Sequence, residues 1–293
     1  MKFRINTNIS VVIPTLGDKH LIDTVYHLNK SSVIPKEILI CIPKENEVTQ
    51  KLKLQKNISV IETIKNGQVF QRYVGFIKTR YDYVLQLDDD EILDIKCIEN
   101  LLKTFDEVNT ELISVAPIIL DCETKSSVYP LPKDTFLNSI LYFVLNGSAG
   151  YIGGVVTKAG TGIGVNTDRS NSKKIKNVEW LPGGCILHKK NNLILDNYFP
   201  FKGKAYNEDL IHSYLLKKNG NKLYINSEAK AYILNENPME NISNKHYFSN
   251  LKKDFKSRDF YLSLIGKNIK IRMYIYYILI IIKFISLKIY RNL

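Results

Sequence analysis

The chain has 293 residues, 45% of them hydrophobic, enough for one large globular α/β domain with an appendage and too apolar for a disordered chain. Its 41 Lys and Arg outnumber 29 Asp and Glu, giving a net charge of +12 that favours anionic partners. No helix-turn-helix, zinc-finger or RNA-recognition signature accompanies that charge, so nucleic acid is not an expected partner. Cys41, Cys97, Cys122 and Cys185 are scattered, with no Cys-x-x-Cys pair and no Cys/His cluster. Neither a zinc site nor a disulfide framework is indicated; each reads as a small core residue in a reducing, cytosolic compartment.

The elements follow in chain order. Residues 9–14 predict a buried strand, and Asp18 a cap for a helix through Leu21, Val25 and Leu28. A second strand is expected over 37–42, a helix over 45–54, a third strand over 58–61, and a turn at Asn66-Gly67. The next helix carries Val69, Phe70, Tyr73, Val74 and Ile77 at a period near 3.6, which predicts that face inward. Tyr83-Val84-Leu85-Gln86-Leu87 is a short buried strand. Asp94 is expected to cap a helix over 94–108 that turns Ile95, Ile98, Leu101, Leu102 and Phe105 inward. A strand over 112–120 and a helix over 135–145 come next. The alternation predicts a mostly parallel sheet flanked by helices.

Residues 147–177 hold Gly153, Gly154, Gly160, Gly162 and Gly164 without periodicity, and read as a flexible lid that helps select an acceptor. Strand character resumes over 178–188, around Pro182-Gly183-Gly184. A helix over 208–218 ends at Asn219-Gly220, and strands follow over 222–225 and 229–234. Residues 1–240 are expected to form the main domain and 241–293 a helical extension. No signal peptide is visible at the start. Met273 to Ile282 is unbroken apolar and aromatic sequence flanked by Lys267, Lys270, Arg272, Lys288 and Arg291. Such a run is too short to span a bilayer; it suits an anionic membrane surface, or else packs on the protein's own core.

Asp88-Asp89-Asp90 closes the strand at 83–87, with Glu91 as a fourth acid. Crowded carboxylates at the carboxyl end of an α/β strand are unfavourable unless a cation is held there, and oxygen ligands suit Mg²⁺ or Mn²⁺. Four motifs stand in order: Val11-Val12-Ile13-Pro14-Thr15, then Gly67-Gln68-Val69-Phe70-Gln71-Arg72 leading to Leu87-Asp88-Asp89-Asp90, then Trp180-Leu181-Pro182-Gly183-Gly184, then Asn207-Glu208-Asp209-Leu210.

In that order and spacing the chain resembles the family 2 glycosyltransferases of GT-A fold, especially those building bacterial surface polysaccharides. The resemblance runs from about residue 9 to 233. It implies an inverting enzyme that moves a sugar from a nucleotide-sugar donor to a glycan or lipid-linked acceptor, placed peripherally at the cytoplasmic face of the cell membrane. It implies that Asp90 holds a metal, that Asp88 contacts the metal or the donor ribose, and that Asp89 belongs to the donor site. Asp209 matches the catalytic base, and the positive end of its helix is expected to keep it ionised. Pro14 and Thr15 match the loop against the nucleobase, and Gln71 and Arg72 the donor support. Trp180, Gly183, Gly184 and Glu208 match the acceptor side, Trp180 either stacking on a sugar or filling the core.

Two departures stand out. Ile40-Cys41-Ile42-Pro43 lacks the aspartate many members carry after the second strand, and Ala231-Tyr232-Ile233-Leu234 lacks their histidine. The second gap leaves a catalytically inactive GT-A scaffold as the alternative, with His246 further along as a substitute and His212, one turn into the Glu208-Asp209 helix, expected to face the core or solvent. A nucleotidyltransferase is disfavoured, because Thr15-Leu16-Gly17-Asp18 is too short and acidic for a phosphate loop.

Overall fold

A computed structural model describes residues 8–129, 131–132, 135–147, 150–166, 173–234, 244–267 and 269–291. The expected boundary at residue 240, part of the 147–177 segment and the side chain of His246 lie outside the described residues. The chain runs β1 (Ile9–Pro14), α1 (His20–Lys30), β2 (Glu37–Ile42), α2 (Glu47–Leu52), β3 (Ile58–Glu62), α3 (Gln68–Lys78) and β4 (Tyr83–Leu87). It continues with β5 (Glu91–Leu93), α4 (Cys97–Val108), β6 (Ile113–Asp121), α5 (Phe136–Asn146), β7 (Val155–Val156) and β8 (Gly162–Ile163). Last come β9 (Ile175–Val178), β10 (Cys185–Lys189), α6 (Glu208–Lys218), β11 (Lys222–Ile233), α7 (Asn244–Leu264) and α8 (Ile271–Arg291).

Among the described residues the main sheet has the order β3-β2-β1-β4-β10-β6-β11-β5, with β9 also paired to β11. Pairing is parallel across β3, β2, β1 and β4, as the βαβ alternation requires. Beyond β4 it is mixed: β10 runs antiparallel to both β4 and β6, while β6 and β11 are parallel. The reversal at β10 positions the site. Leu87 pairs with Cys185, so the acids after β4 lie beside Gly183-Gly184 before β10, and the Asp88 N–H donates to the Gly184 carbonyl at 2.7 Å.

Every residue of β1 and β2 is buried, as expected of strands covered on both faces. Gly75 lets α3 approach them: a Cβ there would meet Val12 Cγ1 at 2.3 Å and Cys41 Sγ at 2.8 Å. Cys41, Cys97 and Cys185 are buried, in keeping with small core residues.

Three local expectations need correction. In α3 the buried residues are Val69, Gln71, Arg72, Gly75 and Phe76, while Ile77 is exposed; the helix is turned so that its polar pair faces inward to partners across the sheet. The helix after the acids begins at Cys97, because β5 intervenes; Asp94 accepts from the Lys96 N–H in the turn before it, and Ile95 is 60% exposed. The segment expected as a lid contains the β7–β8 hairpin and β9, which joins the sheet beside β11. Its glycines give close packing: a Cβ at Gly162 would meet Trp180 Cε2 at 2.6 Å, and one at Gly164 would fall on the Tyr129 ring at 2.1 Å.

The C-terminal helices are part of the same body. Tyr261 and Leu262 of α7 and Met273 and Tyr277 of α8 join one apolar cluster with Trp180, Phe199, Leu210 and Ile211. Buried Arg258 locks the pair, donating to the Gly160 carbonyl at 2.7 Å, to Tyr277 Oη at 3.0 Å and to both Asp254 oxygens at 3.1 Å.

Candidate functional site

The site is built around Arg72. Its Nη1 donates to Glu208 Oε1 at 2.8 Å and its Nη2 to Asp88 Oδ1 at 3.2 Å, so one guanidinium joins the end of β4 to the start of α6. Arg72 is 2% exposed. Burial opposes its charge, but Glu208 and Asp88 beside it outweigh burial and hold the proton more firmly than usual. Tyr198 donates to Glu208 Oε2 at 2.9 Å, so both oxygens of that buried carboxylate are occupied. Glu208, expected on the acceptor side, has its two oxygens on Arg72 and Tyr198.

Gln68, at the first turn of α3, donates to both Asp88 oxygens, at 2.9 and 3.0 Å. Burial, with Glu208 and Asp90 nearby, still raises the Asp88 carboxyl to about 7 against the pull of Arg72. Asp89 takes the Thr15 hydroxyl, and its carbonyl takes Thr24 Oγ1 at 2.9 Å. Gln71 donates at 2.7 Å to the carbonyls of both Thr15 and Cys41, pinning the loop after β1 to the end of β2. Asp90 is exposed, and Glu91 is buried with Oε2 lacking a partner.

These groups border a cleft of about 720 Å³ lined by Pro14, Thr15, Gln68, Gln71, Asp89 and Asp90, with His20 and Lys204 on its walls. Although Asp90 is exposed as a residue, desolvation of its carboxyl in the cleft raises it, and His20 and Lys204 partly reverse the shift. Among the described residues no three metal-ligating side chains converge. The oxygen donors present fit a hard divalent ion only where further oxygen ligands come from a bound phosphate.

Asp209 opens α6, and its Oδ1 accepts the Leu210 N–H at 2.9 Å. Burial first, then Glu208, raises its carboxyl to about 7. The helix end was expected to hold this acid low; desolvation is the larger effect. Gly183 and Gly184 are required by close approach. A Cβ at Gly183 would stand 2.7 Å from Glu208 Oε1, and one at Gly184 would stand 1.7 Å from Glu91 Oε1. Trp180 is 5% exposed, donates to the Ile163 carbonyl at 3.2 Å and meets Tyr129 edge-on, so its ring is a wall of the core and not an open platform.

Sequence reasoning brought Asp88, Asp89, Asp90, Arg72 and Asp209 to one place and missed Gln68, Tyr198, His20 and Lys204. Gln68 lay within a quoted motif; the others sit outside every motif and are recruited by the fold alone. His212 and His188 are buried beside the site. Tyr198 stacks on His212 with interplanar angle 2°, and Ser114 Oγ lies 2.8 Å from His188 Nδ1. Burial pushes His212 down to about 3.

Residues 10–165 match the model of a family described as glycosyl transferase family 2, just over half of the chain. The chain belongs to glycosyl transferase family 2. Its fold is the GT-A fold of that family: a crystal structure of GalNAc-T7 with UDP, GalNAc and Mn²⁺ superposes with TM-score 0.57 at 15% identity. The match covers 84% of this chain and 48% of GalNAc-T7, so the chain spans about half the length of that protein. S. aureus TarS 1–349 overlaps more loosely, at TM-score 0.47 and 14% identity over 85% of this chain and 65% of TarS. No curated protein sequence matches the chain.

Proposed function

We propose that this family 2 member is an inverting glycosyltransferase that moves a sugar from a nucleotide-sugar donor to a hydroxyl of a glycan or lipid-linked acceptor, in the synthesis of a surface polysaccharide. One observation carries it: Arg72 brings the acid end of β4 and the Glu208-Asp209 start of α6 into a single site. In this reading the donor occupies the 720 Å³ cleft, with Pro14 and Thr15 against the nucleobase and Gln68, Gln71 and Asp89 facing the ribose and diphosphate, while Asp88 and buried Arg72 support that wall from behind through Gln68. Lys204 lines the same cleft and supplies positive charge for the diphosphate, with the His20 ring beside it.

The GalNAc-T7 structure contains Mn²⁺ together with UDP and GalNAc. Here Asp90 and Asp88 would hold Mg²⁺ or Mn²⁺ together with the donor phosphates, and the ion would act as a Lewis acid on the departing diphosphate. Asp209 takes the proton of the acceptor hydroxyl as it attacks the anomeric carbon; a carboxyl near 7 is a stronger base than an ordinary aspartate and is still half ionised at neutral pH. Glu208, tied to Arg72 and Tyr198, keeps Arg72 in place and is not itself the base. Gly183 and Gly184 let the loop before β10 close over these acids, and Trp180 backs the acceptor side of the wall.

The test is release of nucleoside diphosphate from a panel of nucleotide sugars with Mn²⁺ and acceptor glycans. Asp209→Asn is expected to lower transfer by about 10²–10⁴-fold with nucleotide affinity unchanged. Turnover at the parental rate removes Asp209 from the role of base; no release by the parent from any donor points to an inactive scaffold.

A further inference from the structure

α8 presents two faces. Met273 and Tyr277 are buried in the apolar cluster, whereas Ile271, Ile275, Ile278, Ile282 and Ile285 are 62%, 36%, 56%, 54% and 49% exposed. Their spacing of three, four and seven residues puts them on one stripe of the helix. α5 packs against α8 and shows a second stripe, Phe136, Ile140 and Phe143, exposed at 81%, 44% and 57%. The stripes meet in a groove of about 480 Å³ bordered by Phe143 on one side and Ile271 and Ile275 on the other. Scattered exposed apolar side chains are ordinary, but two aligned stripes joined by a groove form a patch that water disfavours.

The rim of the groove is cationic. Lys158, Lys267 and Arg272 line it, and no acidic residue is among its described lining. Arg272 donates to the Phe143 carbonyl at 2.9 Å and so caps α5. Lys158 lies on the far side of Gly147, where a Cβ would stand 3.1 Å from its Nζ and 3.4 Å from an Arg272 nitrogen. Neither Lys158 nor Lys267 has an ion-pair partner among the described residues. Among the described residues no helix is long and apolar enough to cross a membrane.

We infer that the α5–α8 face docks on an anionic lipid bilayer, with the isoleucine and phenylalanine stripes entering the headgroup boundary and Lys158, Lys267 and Arg272 meeting lipid phosphates. An apolar plate wants hydrocarbon, and a cationic rim with no acidic partner among the described residues wants anions; the surface of an anionic bilayer offers both within a few ångströms. A second copy of the chain would place the same cations against each other across a two-fold axis, which charge disfavours.

The experiment is flotation of the full-length protein with vesicles of phosphatidylcholine alone and with phosphatidylglycerol added. The parent is expected to float with the anionic vesicles, less so as salt rises. Lys158→Glu/Lys267→Glu is expected to weaken that binding roughly ten-fold or more. Ile275→Asp/Ile278→Asp is expected to bring it to background, with melting temperatures close to the parent because these side chains are exposed. Equal flotation with neutral vesicles, no flotation of the parent, or flotation unchanged by both double substitutions overturns the inference. So does a dimer that Ile275→Asp/Ile278→Asp dissociates without any vesicle binding, which would make the face a self-interface. Flotation needs neither donor nor acceptor, so its outcome is independent of the transferase chemistry.

Discussion

Arg72 satisfies two carboxylates on different elements, and it is the residue whose loss would be felt in both folding and donor binding. Arg72→Ala leaves Asp88 and Glu208 buried without their cation, and a loss of about 3–5 kcal/mol in denaturant unfolding is expected. Lysine keeps the charge but lacks the fork that reaches both acids, so Arg72→Lys is expected to retain most of the stability while raising the donor KM. Asp209 carries a pH signature. In the proposed role of base Asp209 acts in its ionised form, and its carboxyl is raised to about 7, so kcat/KM is expected to climb about ten-fold per pH unit below that point and level off above it. The same shift acts on stability with a definite sign. The folded state keeps the Asp209 proton up to about pH 7, whereas the unfolded chain loses it near ~4. The stability this group contributes is therefore full below about 4 and is lost as pH rises through 7, and Asp209→Asn is expected to melt above the parent at pH 8. The identity of both acids was visible in the sequence. Their electrostatics was not, because desolvation depends on what the fold places around them: Tyr198 and Glu208 for Arg72, and burial for Asp209.

At the scale of elements, the face of α3 shows where pattern reasoning stops. Hydrophobic periodicity counted Tyr73, Val74 and Ile77 and had no means of weighting Gln71 and Arg72, which are buried because Thr15, Cys41, Asp88 and Glu208 accept their protons. β5 was missed because three residues pairing with β11 carry too little pattern to be distinguished from a helix start. The Gly183-Gly184 loop was recognised by its letters; its reason, clearance beside Glu208 and Glu91, needed the fold. Gly184→Ala forces a Cβ onto Glu91 and is expected to destabilise by about 1–3 kcal/mol, with Glu91→Ala in the same chain recovering part of the loss in thermal melts. His212 on α6 and His188 on β10 meet ring to ring and stay neutral when buried. Their folded-state values are depressed, so the stability they contribute is present above the ordinary histidine range and is lost on acidification. At pH 5 each is expected to destabilise by about 2 kcal/mol relative to neutral pH. His212→Phe, which keeps a ring against Tyr198, is expected to lose less stability than the parent between pH 7.5 and 5 in the same melts.

Across the whole molecule, the parallel half of the sheet and the order of its motifs could be read from alternation and turn residues. The antiparallel return of β10 could not, since nothing in Cys185–Lys189 dictates direction. Yet that return sets Gly184 against Asp88 and Gly183 against Glu208 at the start of α6. Within the described residues 150–166, Gly162 and Gly164 pack against Trp180 and Tyr129, so loop-like composition concealed a packed wall. The central claim is that the acids after β4 hold a divalent ion and, with it, a nucleotide diphosphate. Thermal shift measures this most directly, with UDP-, GDP-, dTDP- and CMP-sugars tested with and without Mn²⁺ on the parent and on Asp90→Ala. At about 100-fold excess over Kd, one donor is expected to stabilise the parent by about 2.7 kcal/mol in the presence of Mn²⁺, and Asp90→Ala to lose most of that shift. A shift of equal size in Asp90→Ala, or none in the parent with any donor, would contradict it.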